Sequence, residues 1–67
     1  GVEAIIPGGM YVIVCSNYVI LRRVRVDEQS QGRVLRLEAT NPTYDTITIG
    51  ENQVVELYRV VGNLKMY

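Results

Sequence analysis

At 67 residues, with 48% hydrophobic content and seven basic side chains against seven acidic ones, the chain is one small domain with no net charge to draw it towards nucleic acid or an anionic membrane. Cys15 is the only cysteine and histidine is absent, so an internal disulfide and the usual zinc constellations are excluded; no metal or other cofactor is expected, and a lone thiol with apolar flanks fits a reducing, cytoplasmic setting. The apolar runs are too short to cross a bilayer, and the opening Gly1-Val2-Glu3-Ala4-Ile5-Ile6 lacks the basic start of a signal peptide.

In chain order, Pro7-Gly8-Gly9 marks a turn, and Met10 to Cys15, rich in Tyr, Val and Ile, reads as a strand. Ser16-Asn17 separates it from a second β-branched run, Tyr18 to Val26, as a tight hairpin would. The polar stretch Asp27 to Gly32 is a turn, and Arg33 to Ala39 alternates Val34, Leu35 and Leu37 with Arg36 and Glu38 as a third strand. Asn41-Pro42-Thr43-Tyr44-Asp45 turns again, Thr46 to Ile49 is a short strand, and Gly50-Glu51-Asn52 leads to a last strand, Val54 to Val61. Leu64 to Tyr67, after Gly62-Asn63, would extend that strand as a hairpin tail.

Short strands at intervals of roughly ten residues, without a helical window, predict an all-β fold: a small, mostly antiparallel sheet, bent or partly closed into a barrel. In the last strand both alternating sets are largely apolar, Val54, Tyr58 and Val60 on one and Val55, Leu57 and Val61 on the other. Such a strand is covered on both faces, by its own core or by another chain. A domain this small buries only about 60% of its unfolded surface, so help from self-association or from a further segment is expected.

Catalytic constellations are sparse. Without histidine, Ser-His and Cys-His pairs cannot form within the chain, and the one remaining dyad, Ser16 or Ser30 with Lys65, joins turn serines to a solvated lysine. Asp27-Glu28 reads as loop, and Glu51 and Glu56 as solvated faces. Gly8-Gly9 lacks the strand and helix of a phosphate-cradling loop, and Cys15 has no local cation to lower its pKa, so it reads as a buried structural thiol. Five arginines cluster mid-chain: Arg22, Arg23 and Arg25 are expected to face Arg33 and Arg36 across a hairpin, where like charges must spread out or find acids such as Glu38. Arg23, Arg25, Arg33 and Arg36 are thus the candidate anion or nucleic-acid contacts, against the plainer reading of a salt-bridged solvent face. Asn41-Pro42-Thr43-Tyr44 matches the NPxY pattern read by phosphotyrosine-binding-type adaptors; flanked by strands, it reads as a structural turn.

Taken together, Ile6-Pro7-Gly8-Gly9-Met10-Tyr11-Val12-Ile13, Val19-Ile20-Leu21-Arg22-Arg23-Val24, Leu35 to Tyr44 with its Asn-Pro-x-Tyr turn, and Val60-Val61-Gly62 resemble the C-terminal, serine-peptidase-like domain of LexA and phage CI-type repressors. The resemblance runs from Ile6 to Gly62 and covers only the downstream part of that domain, which implies that residues 1–67 are a single β domain and a fragment of a larger peptidase-like unit. It implies a domain that pairs subunits behind an N-terminal helix-turn-helix, so that two DNA-reading heads meet the two halves of an operator. Two departures oppose catalysis. The family's Ser-Met-x-Pro-like nucleophile segment has no equivalent here, and its general-base lysine aligns with Arg22, whose guanidinium cannot act as a base at neutral pH.

The leading expectation is a non-catalytic homodimerisation module of a helix-turn-helix regulator, with Val54, Leu57, Tyr58 and Val60 in the interface, DNA contacted only through the helix-turn-helix, and neither membrane nor small-molecule substrate as partner. Two alternatives stand beside it: a part of a self-cleaving Ser/Lys peptidase whose serine segment lies upstream, and a small β-barrel that binds nucleic acid through its arginine face.

Overall fold

A computed structural model describes residues 5–62, and within them the chain is all-β: one five-stranded antiparallel sheet. The strands are β1 (Gly9–Cys15), β2 (Val19–Gln29), β3 (Gly32–Glu38), β4 (Ile47–Gly50) and β5 (Val54–Arg59), with a single 3-10 turn, Glu51–Gln53, between the last two. In space they lie in the order β4-β3-β2-β1-β5.

That order forces the sheet to curl. β4 and β5 occupy opposite edges, yet only Glu51–Gln53 separates them. Four peptide steps reach about 14 Å at most, whereas the edges of a flat five-stranded sheet lie roughly 19 Å apart. The bend falls in β2. Its first part, Val19 to Val24, pairs with β1, its second, Arg23 to Gln29, pairs with β3, and the two pairings overlap only at Arg23 and Val24. The result is two three-stranded halves, β2-β1-β5 and β2-β3-β4, sharing one long bent strand. β4 and β5 do not pair, so the barrel stays open.

The concave side holds the core. Tyr11, Ile13 and Cys15 alternate along β1, Val24 sits at the bend, and Leu35, Leu37 and Ile49 come from β3 and β4; Ile5, Ile20, Val26, Ile47, Val54 and Leu57 pack around them. Ile13, Val24, Leu35 and Leu37 are fully buried. Tyr11 brings a polar tip inside, and its hydroxyl accepts a 2.8 Å hydrogen bond from the Ile6 backbone N–H, which removes the penalty for burying it.

The turns follow their residues. Gly8 takes a positive φ of 78°, natural for glycine and strained for other residues; its N–H donates to Val24 O, and Gly9 N–H closes the turn on Ile6 O. Ser16-Asn17 is a two-residue hairpin loop, closed by Cys15 N–H donating to Tyr18 O at 2.8 Å. In the Asn41 turn, Tyr44 N–H donates to Asn41 O, while Asn41 Oδ1 accepts from the backbone N–H and the hydroxyl of Thr43; this is the Asx-type closure that Asn favours.

Three sequence expectations need correction. Asp27, Glu28 and Gln29 belong to β2 rather than to a turn, because they pair in register with Val34, Arg33 and Gly32, and only Ser30-Gln31 turn. Gly50-Glu51-Asn52 is not a simple turn: Gly50 closes β4, and Glu51 opens the 3-10 turn. The last strand ends at Arg59 and is bulged. Val14 faces Glu56 while Cys15 faces Val54, leaving Val55 as the extra residue. The bulge breaks the period of two, so Val54 and Leu57 both turn inward while Val55, Tyr58, Val60 and Val61 are exposed. Leu64 to Tyr67 lie outside the described residues.

Candidate interaction surface

The convex side of the sheet divides at the bend of β2. On the β2-β3-β4 half, Arg25 stands opposite Arg36, the like-charge clash expected from the sequence. Both are relieved diagonally: Arg25 Nε donates to Glu38 Oε1 at 3.0 Å, and Arg36 Nε lies 3.0 Å from Asp27 Oδ2. The second contact is an ion pair without hydrogen-bond alignment. Arg23 faces Glu38 in the ladder and donates through Nη1 to Gly8 O at 2.8 Å.

The other two of the five mid-chain arginines sit elsewhere. Arg33 shares the parity of Leu35 and Leu37 and binds Glu51 of the 3-10 turn, with Nε and Nη2 at 2.7 and 2.6 Å from the same carboxylate oxygen. Glu51 is therefore a half-buried ion-pair partner, not the solvated residue expected. The pair lines a polar cleft of about 330 Å³ with Gln29, Gln31 and Asn52, where its two charges answer each other. Arg22 shares the parity of Ile20 and Val24. It donates through Nη1 to Leu21 O at 3.0 Å and stands 5.8 Å from the centroid of the Tyr44 ring, while its Nε is buried without a hydrogen-bond partner. The four candidate anion contacts are thus spread over both sides of the sheet.

The β2-β1-β5 half is different. Since Tyr11, Ile13 and Cys15 point inward, Met10, Val12 and Val14 point outward, and the register sets their neighbours. Val12 lies between Leu21 and Tyr58, Val14 between Val19 and Glu56, and Met10 beside Arg23, with its carbonyl accepting from Val60 N–H at 2.9 Å. Val19 is 63% exposed, Leu21 53%, Tyr58 55% and Val60 40%. Seven of the nine side chains in this three-strand grid are apolar or aromatic, the four on β2 and β5 exposed and Met10, Val12 and Val14 half-buried between them. Contiguous apolar faces of this kind mark contact sites on soluble proteins. The Glu56 carboxylate, through its charge first and the 3.2 Å hydrogen bond from Tyr58 Oη second, raises the Tyr58 phenol above its ordinary pKa.

Of the four interface residues expected from the sequence, Tyr58 and Val60 belong to this face, whereas Val54 and Leu57 pack against the core. Met10, Val12, Val14, Val19 and Leu21 share the face with them and were not expected there from the sequence. Their signal was available: β1, like the last strand, is apolar in both alternating sets, and β2 is so up to Leu21.

Ser16 and Ser30 lie exposed in turns, and Lys65 falls outside the described residues. Cys15 is a buried free thiol; its hydrogen bond with the Tyr18 hydroxyl is the main cause of a raised Tyr18 pKa. Among the described residues, no helix is long and apolar enough to cross a membrane. The chain matches no protein-family profile, no curated protein and no solved structure.

Proposed function

We propose that the chain is a non-catalytic dimerisation module that works in the cytoplasm and contacts a second copy through the outer face of β2, β1 and β5. The observation that carries this reading is the open grid of Met10, Val12, Val14, Val19, Leu21, Tyr58 and Val60, a second apolar side on a sheet whose first side already holds the core. Burying such a face gains about 25 cal/mol per Å², and a domain of this size has little stability of its own to spare.

The resemblance to the C-terminal domain of LexA and phage CI-type repressors points the same way. There the module would hold two helix-turn-helix heads at the spacing of an operator, with DNA contact made by those heads. Arg22 at the family's lysine position fits a domain that has kept the subunit-pairing role without the cleavage chemistry, because guanidinium does not yield a proton at neutral pH. The nucleic-acid alternative is the weaker one, since Arg25, Arg33 and Arg36 each have an acidic partner.

Analytical ultracentrifugation tests the proposal. The wild-type chain should show a concentration-dependent rise from monomer to dimer in the micromolar range, and Tyr58→Glu should weaken it by about tenfold or more, as expected for an aromatic contact residue of an interface. A wild-type chain that stays monomeric at several hundred micromolar sinks the reading.

A further inference from the structure

How two copies meet is written in the corners of the apolar grid. Read across β2, β1 and β5, its rows are Arg23-Met10-Val60, Leu21-Val12-Tyr58 and Val19-Val14-Glu56. The only two charged positions, Arg23 and Glu56, stand at diagonally opposite corners with opposite sign, and both are exposed. Val12 lies midway between them.

Face-to-face pairing of identical copies needs a two-fold axis in the plane of contact, and its direction decides what meets what. An axis along the strands, or at right angles to them, would lay Arg23 and Glu56 of each copy on the partner's valines. That desolvates a charge against an apolar surface, a severe penalty without a partner. One direction avoids this. Resting on the dimerisation reading above, we propose that the axis passes through Val12 perpendicular to the line from Arg23 to Glu56, so that Arg23 of each copy meets Glu56 of the other.

At strand spacings of about 4.8 Å and a rise of about 3.4 Å per residue, that line makes roughly 35° with the strands. The strands of the two copies then cross at about 70°, close to the orthogonal class of sheet packing. Val12 packs on its own copy at the centre, Leu21 and Tyr58 flank it, and two ion pairs close the rim. Existing bonds leave room for them. Arg23 uses one donor on Gly8 O and Glu56 accepts one bond from Tyr58 Oη, whereas a guanidinium offers five donors and a carboxylate about four acceptor sites. Two faces of this size bury on the order of 1,000 Å², the lower bound for a specific interface, which matches association in the micromolar range.

Charge exchange tests the geometry. Arg23→Glu and Glu56→Arg should each weaken homodimerisation about tenfold, because each creates two like-charge contacts per dimer. The double variant Arg23→Glu/Glu56→Arg should recover association to within about threefold of wild type, and an equimolar mixture of the two single variants should form a heterodimer in preference to either homodimer. Circular dichroism of each variant confirms that these exposed substitutions leave the fold intact. If the wild-type chain dimerises but the exchange neither weakens nor restores association, the axis is wrong while the dimerisation reading stands. If the wild-type chain never associates, both fall.

Discussion

β2 runs through both halves of the sheet, and its outward side chains change character at the bend. Val19 and Leu21 belong to the open apolar grid with β1 and β5; Arg25 and Asp27, beyond Arg23 and Val24, belong to diagonal ion pairs with Glu38 and Arg36 of β3. Beneath both halves lies the same core, Ile13 and Tyr11 under one, Leu35, Leu37 and Ile49 under the other. The two outer faces therefore differ in what they are fitted to meet. On the charged half each like-charge contact has found an acid, while the apolar half is left uncovered.

If the core is common to both halves, truncating it on either side should hurt equally. Ile13→Ala and Leu37→Ala, both at fully buried positions, should each lose about 2–5 kcal/mol of unfolding free energy, a large fraction of the stability of so small a domain. Urea denaturation at a concentration where the chain is monomeric measures this. A loss of less than about 1 kcal/mol for either variant would break the symmetry and show one half to be loosely packed.

The smallest expected effect is on the charged half. Glu38→Ala removes the half-buried partner of the exposed Arg25, and ion pairs at the surface contribute about 0–1 kcal/mol. Thermal unfolding should move by only a few degrees, and the dimerisation constant should not change. A strong loss of association in Glu38→Ala would place the contact surface on the wrong half.

Much of this arrangement could be read from residues. Strand periods, the Pro7-Gly8-Gly9 and Asn41-Pro42 turns and the buried Cys15 all rest on local chemistry, and local chemistry is written in the chain. The two apolar sets of the last strand pointed to apolar surface beyond the core, and Tyr58 and Val60 are exposed on the outer face of the sheet. That Val54 and Leu57 turn inward together was not legible, because the bulge at Val55 exists only relative to β1: a register shift is a property of two strands, invisible in either alone. Glu51 was misread for a similar reason, since Arg33 lies eighteen positions away in the sequence and meets it only once the 3-10 turn carries the chain across. Val19 and Leu21 could have been found by applying to β1 and β2 the two-set test applied to the last strand. The charges drew attention to Arg22, Arg23 and Arg25 in that segment instead.

The most direct test of the difference between the halves puts the same charge on each. Leu21→Glu places a carboxylate in the apolar grid, and Thr48→Glu places one on β4, exposed and opposite Arg36. Sedimentation equilibrium across the micromolar range should show Leu21→Glu dimerising about tenfold or more weakly than wild type, with Thr48→Glu unchanged. Equal weakening by both, or weakening by Thr48→Glu alone, would contradict the assignment of the apolar face as the contact.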